Sequence, residues 1–572
     1  MAGFRAVGPA STHISLLGTG PQTDFLGKLR QTARLQGNRR RPSHDQTRAR
    51  GPPMTILPPT LGPLRTPAGN RVLSRQFLLV LCLGGGIGTF IALALYVTKT
   101  AYVSLLPLGL ALVLSTAFVK NFRLYWFAIF LLSMQFMISK NLNDGLAVID
   151  KLKIDYEIQN FTFQITVSDL VLLVLLAIWA NDCMFHGKPM RFPPVTWLAV
   201  GYFGVAVLSL VGAASPYLGI VELSQQFKYF IVYLYAVNCL DSKSAIRVFA
   251  IVGVIILVAQ AGVTVARFET GYLTPLTFGE SFQDTDQIKD YLSVDRSDEG
   301  SVVRAYGTLA SPGSTAHLCL MVLPFALFLC ARNTMFGMRL VFTALTAFGL
   351  LGIVLTFTRV AYITIAVQCV LAFLIMVRDR LLKREEVILI VMLGLAGLAA
   401  ATPKLYEQFT VREDSVSVRF LQYEATAKMI LDHPFLGVGL NNGTGQKPKY
   451  ANVTYNPYDP DTQFYLEPTH NFYLSLTSEI GVFGVLLFVA FFFKAALLAW
   501  RESRRSPDPE IRFFANVLVV VFCGVAVNGL MDPVLEYQVL ELLWMYAGIS
   551  LNLPRMAEGQ ETVGARPGYR AR

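Results

Sequence analysis

Apolar stretches of roughly 17 to 22 residues recur along most of the chain, each about long enough to cross a hydrocarbon core of ~30 Å as a helix. The pattern predicts an all-α fold, a polytopic transmembrane helical bundle of about fourteen spans. The predicted spans are 77–97, 101–119, 124–139, 167–181, 194–213, 219–239, 248–267, 314–331, 340–357, 360–377, 387–403, 471–493, 513–530 and 537–552.

Basic residues fall in every second connection between these predicted spans. They are Lys120 and Arg123; Lys188 and Arg191; Lys243 and Arg247; Arg332 and Arg339; Arg378, Arg380, Lys383 and Arg384; and Lys494, Arg501, Arg504, Arg505 and Arg512. Short cytoplasmic loops of membrane proteins are enriched in Lys and Arg. We therefore predict that both termini are cytoplasmic and that the two long loops, residues 268–313 and 404–470, lie on the outer side.

Composition supports a membrane protein and separates the chain into regions. With 53% hydrophobic and 15% charged residues, the chain is more apolar than a soluble protein of 572 residues. Residues 1–76 carry ten of the eleven net positive charges and are rich in Pro and Gly. This composition predicts a cytoplasmic tail that is disordered or is attracted to anionic membrane lipids, and it does not indicate binding to nucleic acid. Residues 77–553 form the predicted membrane domain, and residues 554–572 form a second cytoplasmic tail.

The second long loop contains a predicted amphipathic helix, in the stretch SVSVRFLQYEATAKMILDHP. Its predicted apolar stripe consists of Val418, Leu421, Ala425 and Met429. Pro434 and Gly437 are expected to end it. Such a helix can lie on a membrane surface, with Arg419 and Tyr423 one turn apart on another face.

The rest of this loop carries aromatic side chains, Tyr465 among them, between Asn, Asp and Gln residues. Aromatic rings flanked by amide and carboxyl groups suit sugars, which offer apolar ring faces and many hydroxyls. An ordinary loop folded on its own tyrosines explains the same composition.

Four stretches together resemble the O-antigen ligase and polysaccharide polymerase superfamily. They are RAYGTLASPGSTAHLCLMVLP from Arg304, TFTRVAYITIAV around Arg359, DHPFLGVGLNN at 432–442 and PTHNFYLSLTSEIGVFG at 468–484. The resemblance covers residues 300–485. The sequence departs from the family at Tyr423, where tryptophan is common, and at SPGS, residues 311–314, which replaces a Pro-Asn step.

The resemblance implies a glycosyltransferase of the membrane-embedded GT-C type that is inverting and needs neither metal nor cofactor. Family members of this kind take a glycan from undecaprenyl diphosphate on the periplasmic side of the bacterial inner membrane. Ligases transfer it to lipid A core, whereas polymerases transfer it to another lipid-linked repeat and work beside a chain-length regulator protein. We predict a polymerase from the span count, with O-antigen ligase as the first alternative. A transporter is the alternative of another class, and broken helices with paired charges near the midplane would favour it.

The candidate catalytic residues follow from the charge that the reaction develops. A departing diphosphate needs fixed positive donors, and Arg304, Arg359 and Arg419 all fall on the predicted outer side. Arg359 interrupts two apolar spans, where snorkelling to headgroups is the alternative explanation. His470 is the predicted general base because an imidazole with an ordinary pKa of about 6.5 is largely neutral at pH 7. A cap at the start of a helix is its alternative role.

Several further residues receive supporting roles. Asn471, Tyr423 and Tyr465 are predicted to bind substrate, and Glu479 is predicted to hydrogen-bond inside the bundle. Lys228 is expected to pair with Glu222 or with another helix, while His317 and His433 are interpreted as packing or capping residues. The Asp-x-Asp stretches at 284–286 and 459–461 are the residues that a metal-dependent mechanism would use.

Overall fold

The computed structural model describes most of the predicted membrane domain. The described residues are 115, 119–136, 139–141, 163–270, 293–296, 300–309, 311–333, 335–392, 413–451, 468–532 and 537–564. All of them belong to one unit, residues 86–572. The predictions for the 1–76 tail, for span 77–97, for most of span 101–119, for Tyr465 and for both Asp-x-Asp stretches lie outside the described residues.

The described part of the chain is mostly helical. Its helices are α1 Phe122–Ser133, α2 Val167–Phe185, α3 Thr196–Ser209, α4 Pro216–Cys239, α5 Lys243–Thr270, α6 Pro312–Arg332, α7 Phe336–Val354, α8 Arg359–Arg378, α9 Glu413–Asp432, α10 Gly443–Gln446, α11 Phe472–Arg505, α12 Pro509–Gly529 and α13 Tyr537–Gly564. The 3-10 turns Leu210–Gly212 and Lys447–Tyr450 extend α3 and α10.

Two short antiparallel ladders complete the described secondary structure. Strand β1 Ser139–Asn141 pairs with β2 Gln164–Thr166, with Lys140 opposite Ile165. Strand β3 Ser293–Arg296 pairs with β4 Gly300–Val303. The second ladder falls within the first predicted outer loop, residues 268–313.

The helices α1–α8 and α11–α13 occupy eleven of the predicted spans, and residues 384–392 are helical at the start of a twelfth, 387–403. Within the described residues seven helices are long and apolar enough to cross a membrane. These seven are α2, α5, α6, α7, α8, α11 and α12. Helix α1 and helix α3 with its 3-10 extension are apolar but shorter. The chain is therefore a helical membrane protein, while the count of fourteen spans and the GT-C type stay predictions. Helix α13 continues to Gly564, so the predicted tail at 554–572 begins as helix.

Aromatic side chains join the central helices. Tyr233 of α4, Phe491 of α11 and Trp544 of α13 lie with ring centroids 4.9 to 6.1 Å apart. A second group links α5 to α13 through Phe249 and Tyr546, at 5.1 Å. Helices in lipid gain their stability from close packing of this kind, because burial away from water drives little association there.

Charged residues of the loops predicted to be cytoplasmic meet at one end of the bundle, which we call the ion-pair end. Its ion pairs are Arg123–Asp182, Lys243–Asp508, Arg247–Glu510 and Arg339–Glu386. Arg378 also donates to the Ser503 carbonyl at 3.0 Å and to Asn516 Oδ1 at 3.1 Å. The alternating topology predicted from the basic residues expects these loops at one end of the bundle, and the side of the membrane that this end faces stays a prediction.

Helix α11 is broken near its start, at Gly481, where φ is +71° and ψ is 177°. The Ser478 carbonyl accepts from Val438 N at 2.8 Å, and the Glu479 carbonyl accepts from Gly439 N at 3.0 Å. A Cβ at Gly481 would lie 2.0 Å from the Phe435 carbonyl oxygen. The sequence stretches 432–442 and 468–484 therefore meet through their backbones, along a segment, residues 434–442, that we call the hook.

The other face of the hook is fastened to the connection between α3 and α4. Asn442 accepts from Ser215 N at 2.8 Å and donates to the Ser215 carbonyl at 3.1 Å. Leu440 N donates to the Ser209 hydroxyl at 3.2 Å. These contacts satisfy backbone groups that a non-helical segment would otherwise leave without partners inside a membrane protein. The hook thus fixes α9, which precedes it, against α11.

Helix α9 coincides with the predicted amphipathic helix and ends just before Pro434, as predicted. The predicted apolar stripe is wrong at Leu421, which is 37% exposed, and right at Ala425 and Met429, which are buried. The side chain of Val418 lies outside the described residues. The face that is buried consists of Gln422, Ala425, Thr426 and Met429. It includes polar residues because α9 packs against α11 and the turn before it, where hydrogen-bonding partners are available.

Candidate functional site

His470 lies in the turn that leads into α11, and its neighbour Asn471 caps that helix. Asn471 Oδ1 accepts from Leu474 N at 3.0 Å, and Asn471 Nδ2 donates to the Leu530 carbonyl at 3.0 Å. The cap satisfies a free N–H at the helix start. The side-chain oxygen and nitrogen of Asn471 are therefore both engaged within the protein, and these bonds fix the position of the neighbouring His470. The substrate-binding role of Asn471 stays a prediction.

Helix α9 holds the turn from the other side. The Tyr423 hydroxyl donates to the His470 carbonyl at 2.5 Å, and the Thr426 and Thr469 hydroxyls lie 2.8 Å apart. Burial raises the pKa of the Tyr423 hydroxyl, so it remains a donor. Tyr423, predicted to bind substrate, thus positions the His470 backbone. Arg419, one turn earlier on α9, is brought to the same side.

The surroundings of His470 favour its neutral form. Burial, the largest cause, acts together with the nearby charges of Arg419 and Lys447 and against that of Asp532 to lower the pKa of the imidazole to about 4. Burial and neighbouring cations both penalise the imidazolium. At pH 7 the side chain is therefore neutral and has a nitrogen lone pair that can accept a proton.

Asp532 follows α12 and lies next to a second histidine. Its Oδ2 is 3.3 Å from Nε2 of His317, which lies in the second turn of α6 and is buried. The interpretation of His317 as a packing residue is thus incomplete. Sequence analysis did not select Asp532. Its one signal in the sequence is its position, because it is an acidic residue next to a proline in the connection between two apolar spans.

Arg304 and Arg359 are brought together at the start of α8. Arg304 Nε donates to the Thr356 carbonyl and Nη2 to the Thr358 hydroxyl, both at 3.2 Å, and Arg359 is the next residue. The segment that begins with Arg304 is itself fixed, because Gly307 N donates to the Thr315 hydroxyl at 2.9 Å. Thr315 lies two residues before His317, so α6 connects the Arg304 segment to the partner of Asp532.

All four candidate catalytic residues lie at the end of the bundle opposite the ion-pair end. Helices α8, α11 and α12 reach the ion-pair end with their opposite termini, at Arg378, Ser503 and Asp508. Helix α9 reaches the same end through its bond to His470. We call this the His470 end. It contains two pairs, Arg304 with Arg359 and Arg419 with His470, which are linked through His317 and Asp532.

Two ionisable residues inside the bundle, Glu479 and Lys228, have partners. Glu479 Oε2 accepts from Asn441 N at 3.0 Å, which confirms its expected hydrogen bond. Lys228 pairs with Asp169 of α2 at 3.0 Å, so of the two expected partners the other helix is correct. Among the described residues there is no group of three His, Cys, Asp or Glu side chains that could hold a metal.

Comparison with known families places this geometry in context. Residues 342–489 match the family described as O-antigen ligase. The matched segment is about a quarter of the chain and includes Arg359, Arg419 and His470, while Arg304 precedes it. The match confirms the resemblance to the O-antigen ligase and polysaccharide polymerase superfamily. No curated protein matches the chain.

Proposed function

We propose, from the O-antigen ligase match at residues 342–489, that the protein transfers a glycan from undecaprenyl diphosphate to an acceptor hydroxyl. The enzyme is an inverting, metal-independent glycosyltransferase of the GT-C type in the bacterial inner membrane. Its His470 end faces the periplasm, where the lipid-linked donor is presented. The acceptor is another lipid-linked repeat, so the protein is a polysaccharide polymerase.

The observation that carries the proposal is a half-buried, neutral imidazole beside an arginine. A general base must be unprotonated before the reaction, and burial together with Arg419 keeps His470 in that form. An anionic donor bound near Arg419 offsets the positive charge there and raises the pKa of His470. The base thus becomes stronger when the donor is in place.

In the proposed reaction His470 takes the proton of the acceptor hydroxyl. The hydroxyl oxygen forms a bond to the anomeric carbon from the face opposite the carrier, and the bond between that carbon and the phosphate oxygen breaks. The electron pair leaves with the diphosphate, which Arg304, Arg359 and Arg419 stabilise by charge-assisted hydrogen bonds. Asp532, paired with His317, stabilises the imidazolium that has formed.

O-antigen ligase activity is the first alternative, because ligases differ only in using lipid A core as acceptor. The protein is purified and supplied with a defined undecaprenyl diphosphate oligosaccharide and, separately, with each acceptor. A polymerase elongates the lipid-linked repeat, and its natural partner is a chain-length regulator. A ligase labels lipid A core instead. Transfer to neither acceptor contradicts the proposed function.

Metal independence is tested in the same assay. Transfer is expected to continue after treatment with EDTA, because arginines supply the positive charge that a cation would otherwise provide. Complete loss on EDTA treatment, with recovery when Mg²⁺ is added back, would favour the Asp-x-Asp stretches at 284–286 and 459–461.

A transporter is the second candidate, and two observations favour it. Helix α11 is broken at Gly481, and Lys228 and Asp169 form an ion pair between helices. Broken helices in transporters line the substrate path. Here the hook covers the break, since its backbone groups bond to Ser478 and Glu479. Movement of the lipid-linked donor across vesicles without any glycan transfer would favour this alternative.

A further inference from the structure

An arginine that no sequence motif selected is buried at the His470 end. Arg267 lies in the last turn of α5 and is only 6% exposed. Helix α5 begins with Lys243, whose ion pair with Asp508 belongs to the ion-pair end, so its last turn lies at the opposite end. A buried guanidinium stays charged and is costly unless its contacts compensate for the lost water. The contacts of Arg267 must therefore be favourable enough to offset this cost.

The main contact of Arg267 is with an aromatic ring. Its guanidinium carbon lies 4.1 Å from the ring centroid of Tyr306. Tyr306 is 2% exposed, and a cation–π contact gains strength when both partners are shielded from water. Tyr306 follows Arg304 by two residues. The contact therefore connects α5 to the segment that carries a candidate catalytic arginine.

The same face of α5 holds this segment at a second point. Gln260 Nε2 donates to the Thr308 hydroxyl at 2.6 Å, and Gln260 Oε1 accepts from Thr308 N at 2.9 Å. Gln260 and Arg267 are seven residues apart, so they lie on one side of the helix. A Cβ at Gly307 would lie 1.9 Å from Gln260 Oε1, because the segment approaches α5 closely. Residues 304–308, the Arg304 segment, are thus fixed along two turns of α5.

The next residue of α5 packs against the segment that carries Arg359. The ring centroids of Phe268 and Phe357 lie 6.4 Å apart. Phe357 precedes Arg359 by two residues, and its φ of +49° is a left-handed conformation that persists only where the surroundings hold it. Arg304 donates to the residues on either side of Phe357. The last turn of α5 therefore contacts both segments that present a candidate catalytic arginine.

We propose that Arg267 is a positioning residue of the glycan-transfer site, which acts through the ring of Tyr306 to hold Arg304 beside Arg359, so that both guanidinium groups bind the donor diphosphate together. The substrate in this proposal rests on the proposed function. The holding of the Arg304 segment does not, because it follows from the contacts of Arg267. With 6% of its surface exposed, Arg267 itself does not touch the donor.

Repulsion between the two catalytic guanidinium groups is the physical reason for such a contact. Arg304 bonds to the hydroxyl of Thr358, next to Arg359, so two like charges are kept close before any anion arrives. Their repulsion favours displacement of the Arg304 segment, and a buried contact that fixes its backbone opposes that displacement. The donor diphosphate then compensates both cations.

The direct test is hydrogen exchange measured by mass spectrometry in purified full-length protein. Three amides of the Arg304 segment bond to other elements at 2.9 to 3.3 Å, those of Ala305, Gly307 and Thr308. In Arg267→Met their exchange is expected to become at least about tenfold faster, because the contact that holds Tyr306 is lost. The matched control is Arg332→Met, which removes a guanidinium 5.4 Å over the Phe513 ring in the last turn of α6 and should leave these amides unchanged. Unchanged exchange in Arg267→Met overturns the proposal.

Variants of Tyr306 test the contact from the other partner. Tyr306→Phe keeps the ring and is expected to keep slow exchange, whereas Tyr306→Leu is expected to accelerate it as Arg267→Met does. Equal exchange in these two variants overturns the proposal without relying on the Arg267→Met protein. Peptides of the hook are the internal reference. Equal acceleration there would mean a general loss of stability and would overturn the proposal as well.

A second measurement determines whether Arg267 acts through Arg304. Arg267→Met is expected to lower kcat/KM for glycan transfer roughly tenfold when Arg304 is present, because a small misplacement of a catalytic group is costly. In the Arg304→Ala background the same change is expected to lower it less than about twofold, because the residue through which Arg267 acts is gone. A merely structural role would give equal factors in both backgrounds, and that result overturns the role in the site. If wild-type protein transfers no glycan, the proposed function fails, and hydrogen exchange still decides whether Arg267 holds the Arg304 segment.

Discussion

The two ends of the bundle use positive charge differently. At the ion-pair end Arg247 and Arg339 face Glu510 and Glu386, at 3.0 and 2.5 Å. At the His470 end Arg419 and Lys447 act on an imidazole that one carboxylate, Asp532, also faces. In the first case the charges of neighbouring loops compensate each other. In the second, the imidazole is surrounded by more positive than negative charge, which suits the anionic donor that we propose.

The two ends are also held together differently. Side-chain ion pairs join the loops of the ion-pair end, and such pairs contribute little when they are exposed. At the His470 end the hook joins α9 to α11 through backbone bonds to Ser478 and Glu479. A site that must keep several side chains in register needs the more rigid of these two connections. Substitutions at the two ends should therefore differ in kind as well as in size.

The largest expected effect comes from His470→Ala. Loss of the proposed general base is expected to lower glycan transfer by about 10²- to 10⁴-fold, with membrane insertion and melting temperature unchanged. The matched control is His433→Ala, an exposed histidine in the turn after α9. Initial rates of transfer are measured for both proteins with one defined donor and acceptor. Full activity in His470→Ala would remove the general-base assignment.

Arg419→Ala is expected to lower transfer by about 10²- to 10³-fold, because it removes a cation that we propose stabilises the departing diphosphate. The comparison is Arg504→Ala at the opposite end of α11, where the exposed arginine lies 4.8 Å over the Trp500 ring. That variant is expected to transfer at the wild-type rate. Equal rates in the two variants would show that charge at the His470 end has no special role.

Gly481→Ala is expected to destabilise the protein by at least ~1–3 kcal/mol, because its backbone conformation is essentially restricted to glycine. The new methyl group would also meet the Phe435 carbonyl at 2.0 Å, so the hook must move. The control is Gly204→Ala in α3, where a Cβ finds open space. Thermal unfolding in detergent compares them. Equal melting temperatures would contradict the role of the hook.

The helices could be predicted from the sequence because the length of an apolar run is a local signal. Their ends were less accurate, as α11 shows. The helix continues to Arg505, beyond the predicted limit at residue 493, because long cationic side chains can extend a helix past the lipid and reach water. Whether a span exists can thus be predicted from local composition. The length of its helix also depends on contacts such as that between Arg378 and Ser503.

The candidate site was predictable in its residue types and less so in their roles. A histidine and arginines beside apolar spans are visible in the sequence, but the bond from Tyr423 to the His470 carbonyl depends on how α9 packs. The burial of Lys447 likewise depends on the hook, and in sequence it looks like any loop cation. The break at Gly481 had a weak signal, since a glycine within an apolar helix is often tolerated.

The smallest effect is expected at the ion-pair end, for Arg247 and Glu510. Arg247 donates to both carboxylate oxygens, at 3.1 and 3.0 Å, but its side chain is 52% exposed. A double-mutant cycle of Arg247→Ala and Glu510→Ala is therefore expected to give a coupling of only ~0.2–1 kcal/mol, which salt weakens. Transfer should stay at the wild-type rate in all three variants. A coupling as large as the cost of Gly481→Ala, or a loss of transfer, would mean that the two ends are not separate, because disturbance of one would then reach the base at the other.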